Sequence, residues 1–292
     1  SHALSLPQYL MWLEMPELPE VETVMRGLSP HLLNQRITSV ELRRAGLRYP
    51  FPSQMVEKLE GRRIEDLSRR AKYLLIHLQD DLTWLCHLGM SGRFTIYEDG
   101  INNSENGKHD HVMFSLESGC DVVYTDHRRF GIMDLLKTSE LHEHKLLAHL
   151  GPEPLIEEFT GKVLYDAFQT KKSPVKTALL NQRIVAGLGN IYVCEALNTV
   201  GISPRRKTCN ISKGKCTLLV EAIKNILLSS IAVGGSTLQD FAGVDGDLGY
   251  FPASFRVYGR EDKECQSQDC DGKIKRISQA GRSTFFCSSC QY

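Results

Sequence analysis

"PELPEVET", residues 16–23, is the stretch on which the reading of the whole chain turns. It sets three acids and two prolines in a short polar run. Proline fixes φ near helical values and suits the first turn of a helix. Acids in that turn meet the positive end of the helix dipole. Val21, Val24, Met25 and Leu28 then recur at helical spacing, so a helix is expected here, with Gly27 and Pro30 closing it. On residue chemistry alone, Glu17 and Glu20 are favourable first-turn charges.

Outward from this helix the period changes to two. "ITSVELRR", "KYLLIHLQ", "LTWLCHLG", "RFTIYED", "HVMFSLES" and "DVVYTDHR" read as short strands separated by Gly, Asp and Asn turns. Such a series between about residues 37 and 127 predicts a β-sandwich, with a polar loop over 98–110. The prolines and acids of "LGPEPLIEEF", 150–159, read as a linker. Beyond it "KVLYDAFQ", "VKTALLNQ", "NIYVCEALNTV" and "KCTLLVEAIKNILLSSIAV" read as helices, with the glycines of "AGLGN" forcing a tight turn. The glycine-rich stretch past Gly234 has no steady period and reads as a loop. The expected class is therefore α+β and multidomain. An extension covers 1–15, a helix plus β-sandwich 16–150, an all-α unit with a loop 151–254, and a cysteine-bearing unit 255–292.

The formal net charge is zero, so global charge does not argue for nucleic acid. Residues 36–72 nevertheless hold ten Lys/Arg against five Asp/Glu, which allows a basic face. No apolar run approaches a membrane span, and no membrane partner is expected. Residues 3–12 are apolar but lack a basic flank and a cleavage site, so they read as neither signal nor anchor. Ser1-His2 looks like a tag remnant. Nine cysteines, an odd number, point to a reducing cytoplasm rather than a disulfide scaffold.

Four of those cysteines, Cys265, Cys270, Cys287 and Cys290, form C-x4-C-x16-C-x2-C. Two close pairs of thiolates suit one tetrahedral zinc ion; the rival reading is two disulfides or free thiols. The intervening "GKIKRISQAGRSTFF" alternates as a β-hairpin would, and carries Lys273, Lys275, Arg276 and Arg282. A metal-stapled basic hairpin fits a phosphate backbone better than a small molecule.

"PELPEVET", "RRAKYLL" (69–75), "HLGMSG" (87–92), "DHRRFG" (126–131), "GLGNIYVCEAL" (187–197) and "GRSTFFCSSCQ" (281–291) stand in an order that resembles the bacterial formamidopyrimidine-DNA glycosylases. The resemblance runs from Pro16 to Gln291. It implies a helix and β-sandwich, a helix–two-turn–helix domain and a zinc hairpin, with damaged duplex DNA in the cleft between them and a monomer sufficient for the chemistry. It implies removal of oxidised purines followed by strand cleavage at the abasic site. The related endonuclease VIII enzymes share the architecture and prefer oxidised pyrimidines.

By the same resemblance, Pro16 is the nucleophile whose secondary amine attacks C1′. The resulting iminium acidifies the next carbon and permits β- then δ-elimination. Glu17 is the acid that protonates the sugar ring oxygen. Lys72, Asn190 and Arg282 grip the phosphates at the flipped nucleotide. Met90, Arg128 and Phe130 fill the void left by the extruded base, with Arg128 meeting the orphaned partner base. Tyr192 and Glu195 follow Asn190, where packing is an equal reading. The loop at 236–252 aligns with the one that closes over the lesion.

Two features depart from the family. The first cysteine pair is usually C-x2-C. More seriously, Pro16 is internal, and its nitrogen is a tertiary amide with no usable lone pair. Either residues 1–14 stem from an upstream start and a tag, with Met15 trimmed to free Pro16, or the extension is genuine. In the second case the chain binds lesions without cleaving them, or is activated by proteolysis.

Overall fold

A computed structural model of the chain describes residues 16–101, 107–237 and 255–292, of which 235–237 by backbone alone. The expected extension 1–15, the middle of the 98–110 loop, and the capping loop beyond residue 237 lie outside the described residues.

Helix α1, Leu18–Leu32, starts where the prolines and acids place it. It does not stop at Gly27 or Pro30, as expected, but runs through both. Leu28 and Leu32 are buried in the core, and that burial offsets the hydrogen bond Pro30 cannot make.

The strands follow as β1 (Ile37–Leu42), β2 (Ile64–Arg70), β3 (Tyr73–Leu78), β4 (Leu82–His87), β5 (Gly92–Tyr97), β6 (Asp110–Leu116), β7 (Asp121–Asp126) and β8 (Ile132–Lys137). A short helix α2, Met55–Leu59, lies between β1 and β2. Two antiparallel four-stranded sheets result, ordered β1-β6-β7-β5 and β2-β3-β4-β8. Their inner faces share one core, with Trp84 of β4 edge-on to Phe114 of β6 at 5.2 Å between ring centroids. The expected sandwich is present, with β2 and β8 added. Both are edge strands of the second sheet, and their half-covered residues blur the period-2 pattern.

The helices α3 (Gly161–Gln169), α4 (Val175–Leu179), α5 (Asn190–Thr199) and α6 (Lys213–Thr237) form the all-α unit. Helix α6 continues past Gly234, where a loop was expected to begin. It also corrects the expectation about span length: Lys213–Gly234 is long and apolar enough to cross a bilayer by length and composition, with mean hydropathy 1.7. Glu221 and Lys224 break up the run without lowering its average enough. Its Leu219, Ile223, Leu227 and Ile231 are buried in the helical core, against a helix set that includes α1, α3 and α5.

Strands β9 (Ile274–Gln279) and β10 (Arg282–Cys287) make the expected hairpin. Ala280 and Gly281 both have positive φ, 49° and 74°, the requirement of a tight primed turn. Arg282 therefore stands at the hairpin tip, paired with Gln279.

Helix α1 joins the two cores. Leu18 belongs to the helical core, whereas Val21, Val24, Leu28 and Leu32 belong to the sandwich core. The helical core also takes in Ile274, Phe285 and Cys287 of the hairpin. The start of α1 is thus the joint of the molecule.

Candidate active site and nucleic-acid cleft

Pro16 and Glu17 lie buried at that joint. Glu17 is the N-cap of α1 and exchanges hydrogen bonds with Glu20 as a capping box, Glu17 N donating to Glu20 Oε2 at 2.9 Å. It serves a second helix as well. Glu17 Oε1 accepts from Ile191 N, in the first turn of α5, at 2.9 Å. Two helix N-termini therefore converge on one carboxylate, each favouring negative charge there.

The glycines of "AGLGN" make this approach possible. A Cβ on Gly189 would overlap the Glu17 carboxyl, and one on Gly187 would overlap Leu18. Gly187 also has φ of 84°, and its carbonyl accepts from Leu18 N at 3.2 Å. Gln182, which sequence reasoning missed, clamps the turn: Oε1 accepts from Gly187 N at 2.8 Å and Nε2 donates to Leu188 O at 2.8 Å. Gly189→Ala is expected to push Glu17 from its place and destabilise the fold by about 1–3 kcal/mol. Thermal unfolding measures the second effect; an unchanged midpoint would contradict the packing described.

Glu20 faces inward. Tyr192 of α5 donates to Glu20 Oε1 at 2.5 Å and its hydroxyl meets Ser230 of α6 at 2.6 Å. Burial raises the Glu20 pKa, opposed by the Tyr192 hydrogen bond and by the charge of Lys72. Burial and the two nearby acids, Glu20 and Glu17, raise that of the Tyr192 phenol. Glu195 accepts three backbone N–H groups, from Arg256 at 2.8 Å, Val257 at 3.0 Å and Tyr258 at 2.8 Å. Tyr192 and Glu195 thus have packing and anchoring partners, the reading that sequence left level with a direct one.

Lys72 follows the β2–β3 turn at Ala71, a non-glycine residue with φ of 52°. Glu153 holds that turn from the linker, accepting from Ala71 N at 2.6 Å, Arg69 at 2.8 Å and Arg70 at 2.7 Å. Lys72 and Arg282 line one cleft of about 160 Å³, together with His87, Gln182 and Leu188. Sandwich, helical unit and hairpin all contribute to it. His87, also missed from sequence, accepts from Gly89 N at its Nδ1 at 3.1 Å, leaving the proton on Nε2. Burial, then the charges of Lys72 and Arg48, push its pKa down to about 4, so the ring is a neutral donor near pH 7.

Asn190 is buried, not open to the cleft as a free arm. Its Nδ2 donates to Ser283 O at 2.8 Å and to the Tyr258 hydroxyl at 3.4 Å. Lys176 of α4, fully buried and unremarked in the sequence, donates to Ser283 O at 3.1 Å and Thr284 Oγ1 at 2.7 Å. Both residues staple the hairpin beside Arg282 to the helical unit.

Met90, Arg128 and Phe130 come together on a second rim. Met90 is half-buried rather than fully exposed, while Phe130 is 42% exposed under the Arg128 guanidinium, 4.9 Å from its ring centroid. Asp126 joins the two loops. Its Oδ1 accepts from Ser91 Oγ at 2.5 Å and Arg129 N at 3.0 Å, and its Oδ2 from Gly131 N at 2.8 Å. Ser91 Oγ in turn accepts from Arg128 N at 2.9 Å.

The four Sγ atoms of Cys265, Cys270, Cys287 and Cys290 lie within 4.8 Å of one another. Cys265–Cys290 and Cys270–Cys287 are 3.7 Å apart, far beyond a disulfide bond. Tetrahedral zinc with Zn–S near 2.3 Å spaces its sulfurs by about 3.8 Å, so the donor set fits.

Comparison with known proteins follows the same outline. The formamidopyrimidine-DNA glycosylase N-terminal domain matches residues 15–133, and the H2TH domain of the same enzymes matches 150–242. The chain belongs to the formamidopyrimidine-DNA glycosylase family. A formamidopyrimidine-DNA glycosylase of Ruegeria sp. (strain TM1040) is 51% identical over 282 residues, covering 95% of this chain and 100% of that one. One from Caulobacter vibrioides is 51% identical over 286 residues with the same coverage. Among solved structures, the Lactococcus lactis glycosylase bound non-covalently to DNA with an AP site superposes with TM-score 0.82 at 33% identity, over 94% of this chain and 99% of that one. Its complex with Fapy-dG DNA gives 0.83 at 33% identity, with the same coverage. As a member of this glycosylase family, the chain is a DNA repair enzyme that acts on damaged DNA.

Proposed function

We propose that the chain excises oxidised purines, 8-oxoguanine and formamidopyrimidines, from duplex DNA and then cuts the strand by β,δ-elimination. The observation that carries this is the buried Pro16–Glu17 pair, held where two helix N-termini meet, next to a cleft lined by Lys72 and Arg282. In this reading residues 16–150 carry the chemistry, and 151–254 with 255–292 grip the duplex. The working site is the bacterial cytoplasm, at the nucleoid.

The Pro16 amine attacks C1′, the glycosidic bond breaks, and its electron pair leaves with the base. Glu17, bonded to the nucleophile, takes up the proton that the amine releases on attack and passes it to the ring oxygen. The ring opens to an iminium, which acidifies C2′; a base takes that proton as the 3′ phosphate leaves, and a second elimination releases the 5′ phosphate. Lys72, Asn190 and Arg282, with the neutral His87, hold the phosphates beside the lesion. Asn190 sets the hairpin that presents Arg282. Met90, Arg128 and Phe130 enter the stack, which costs a few kcal/mol to open. One structural zinc ion on Cys265, Cys270, Cys287 and Cys290 ties the hairpin ends together; it supplies folding energy and takes no part in the reaction.

A second reading has its own observation: in the 292-residue chain the Pro16 nitrogen is acylated by Met15. That form binds lesions without cleaving them. A duplex panel of 8-oxoguanine, formamidopyrimidine and oxidised pyrimidine lesions, assayed with a form beginning at Pro16, tests the substrate class. Excision of the purine lesions well ahead of the pyrimidines is expected. The reverse order would assign the endonuclease VIII preference instead.

A further inference from the structure

The longer first cysteine turn holds a residue that the catalytic reading leaves unused. Between Cys265 and Cys270 the chain passes through Asp269 at φ 57°, and Cys270 N closes on Ser267 O at 3.2 Å. This conformation turns Ser267 back onto the sulfurs. Its N–H approaches Cys265 Sγ at 3.5 Å, and its Oγ lies 3.7 Å from Cys290 Sγ. The same Oγ accepts from Arg256 Nη2 at 3.1 Å.

A hydroxyl has one proton to give and lone pairs to receive. With Arg256 occupying a lone pair, the Ser267 proton is left for the sulfur of Cys290. Metal-bound cysteines are thiolates and can only accept. Four thiolates around one divalent ion leave a net charge of −2, and the guanidinium lies one hydroxyl away from it. Arg256 is itself anchored, its backbone N held by Glu195 of α5 at 2.8 Å.

We propose that Arg256 and Ser267 form a relay that steadies the zinc site of this chain: Arg256 fixes the Ser267 hydroxyl, and Ser267 donates its N–H to Cys265 and its O–H to Cys290. The inference rests on zinc as the metal of the cysteine cluster. Both are positioning residues, and the relay connects the cluster to α5, whose first residue is Asn190.

Zinc release from the full chain to a chromogenic chelator tests the relay without any measurement of DNA cleavage. Ser267→Ala is expected to release zinc ~10-fold faster than the parent, the scale of losing an outer hydrogen bond to a metal ligand. Ser267→Thr keeps the hydroxyl and should stay within about twofold. Arg256→Met should also accelerate release, and combining it with Ser267→Ala should add nothing beyond Ser267→Ala alone. Cobalt-loaded variants should all keep the absorption of a four-thiolate site. Parent-like release from Ser267→Ala, full additivity of the two substitutions, or loss of the four-thiolate spectrum in Ser267→Ala would each overturn the relay. A parent protein that takes up no zinc would instead remove the metal reading beneath it.

Discussion

A form of the chain beginning at Pro16 is expected to become covalently fixed to an 8-oxoguanine duplex when borohydride is present, and the 292-residue chain is not. The expected difference in trapping rate is on the order of 10³-fold or more, the scale of losing a nucleophile. The reason lies in one nitrogen. At a chain terminus proline carries a secondary amine with a pKa of roughly 8, so a useful fraction holds a free lone pair near neutral pH. Acylated by Met15, the same nitrogen shares its lone pair with a carbonyl and cannot form an iminium.

The surroundings of Pro16 are expected to be the same in the two forms. Glu17 stays fixed by Ile191 N and by the capping box, and Lys72 and Arg282 still line the cleft. The 292-residue chain should therefore bind lesion duplexes while failing to trap. Equal trapping by both forms would mean that another amine carries the imine, Lys72 on the cleft wall being the candidate. Failure of both would remove the lyase assignment.

The fold was largely legible because its signals are local. Alternation marked the strands that are covered on a face, the proline–acid opening marked the start of α1, and the paired cysteines marked the hairpin. Motif order then carried Pro16, Glu17, Lys72, Asn190 and Arg282 to a common region. What sequence could not show are the acceptors and donors that hold those residues in place. Ser91 and Asp126 are 35 positions apart, Tyr258 and Glu195 are 63 apart, and Lys176 and Thr284 are 108 apart. Each is an ordinary polar residue until the fold supplies its partner. Asn190 shows the same limit from the other side. Its motif implies a phosphate contact, and the fold adds a bond from its amide to the hairpin backbone that the motif does not show. The end of α1 was misplaced because burial of Leu28 and Leu32 outweighs a local proline signal, a choice only the core can make.

Removing the metal is expected to weaken binding to an abasic-analogue duplex about 100-fold, equivalent to ~2.7 kcal/mol. The hairpin is short, and its folding leans on four sulfurs meeting one ion. Its inner face is not an independent core: Ile274, Phe285 and Cys287 are buried within the helical core, and Lys176 and Asn190 both donate to Ser283 O. Without the ion nothing draws the four sulfurs together, and the strand that carries Ser283 loses its fixed end. Lys176 and Asn190 then lose a buried acceptor, a cost of about 1–3 kcal/mol for each group left unsatisfied. Arg282, at the tip, no longer faces Lys72 across the cleft. Fluorescence anisotropy with a labelled duplex, before and after chelation and again after zinc is restored, measures the change. Recovery on adding zinc back separates loss of the hairpin from irreversible unfolding. Affinity within twofold of the untreated protein would show that the staples to α4 and α5 hold the hairpin without metal.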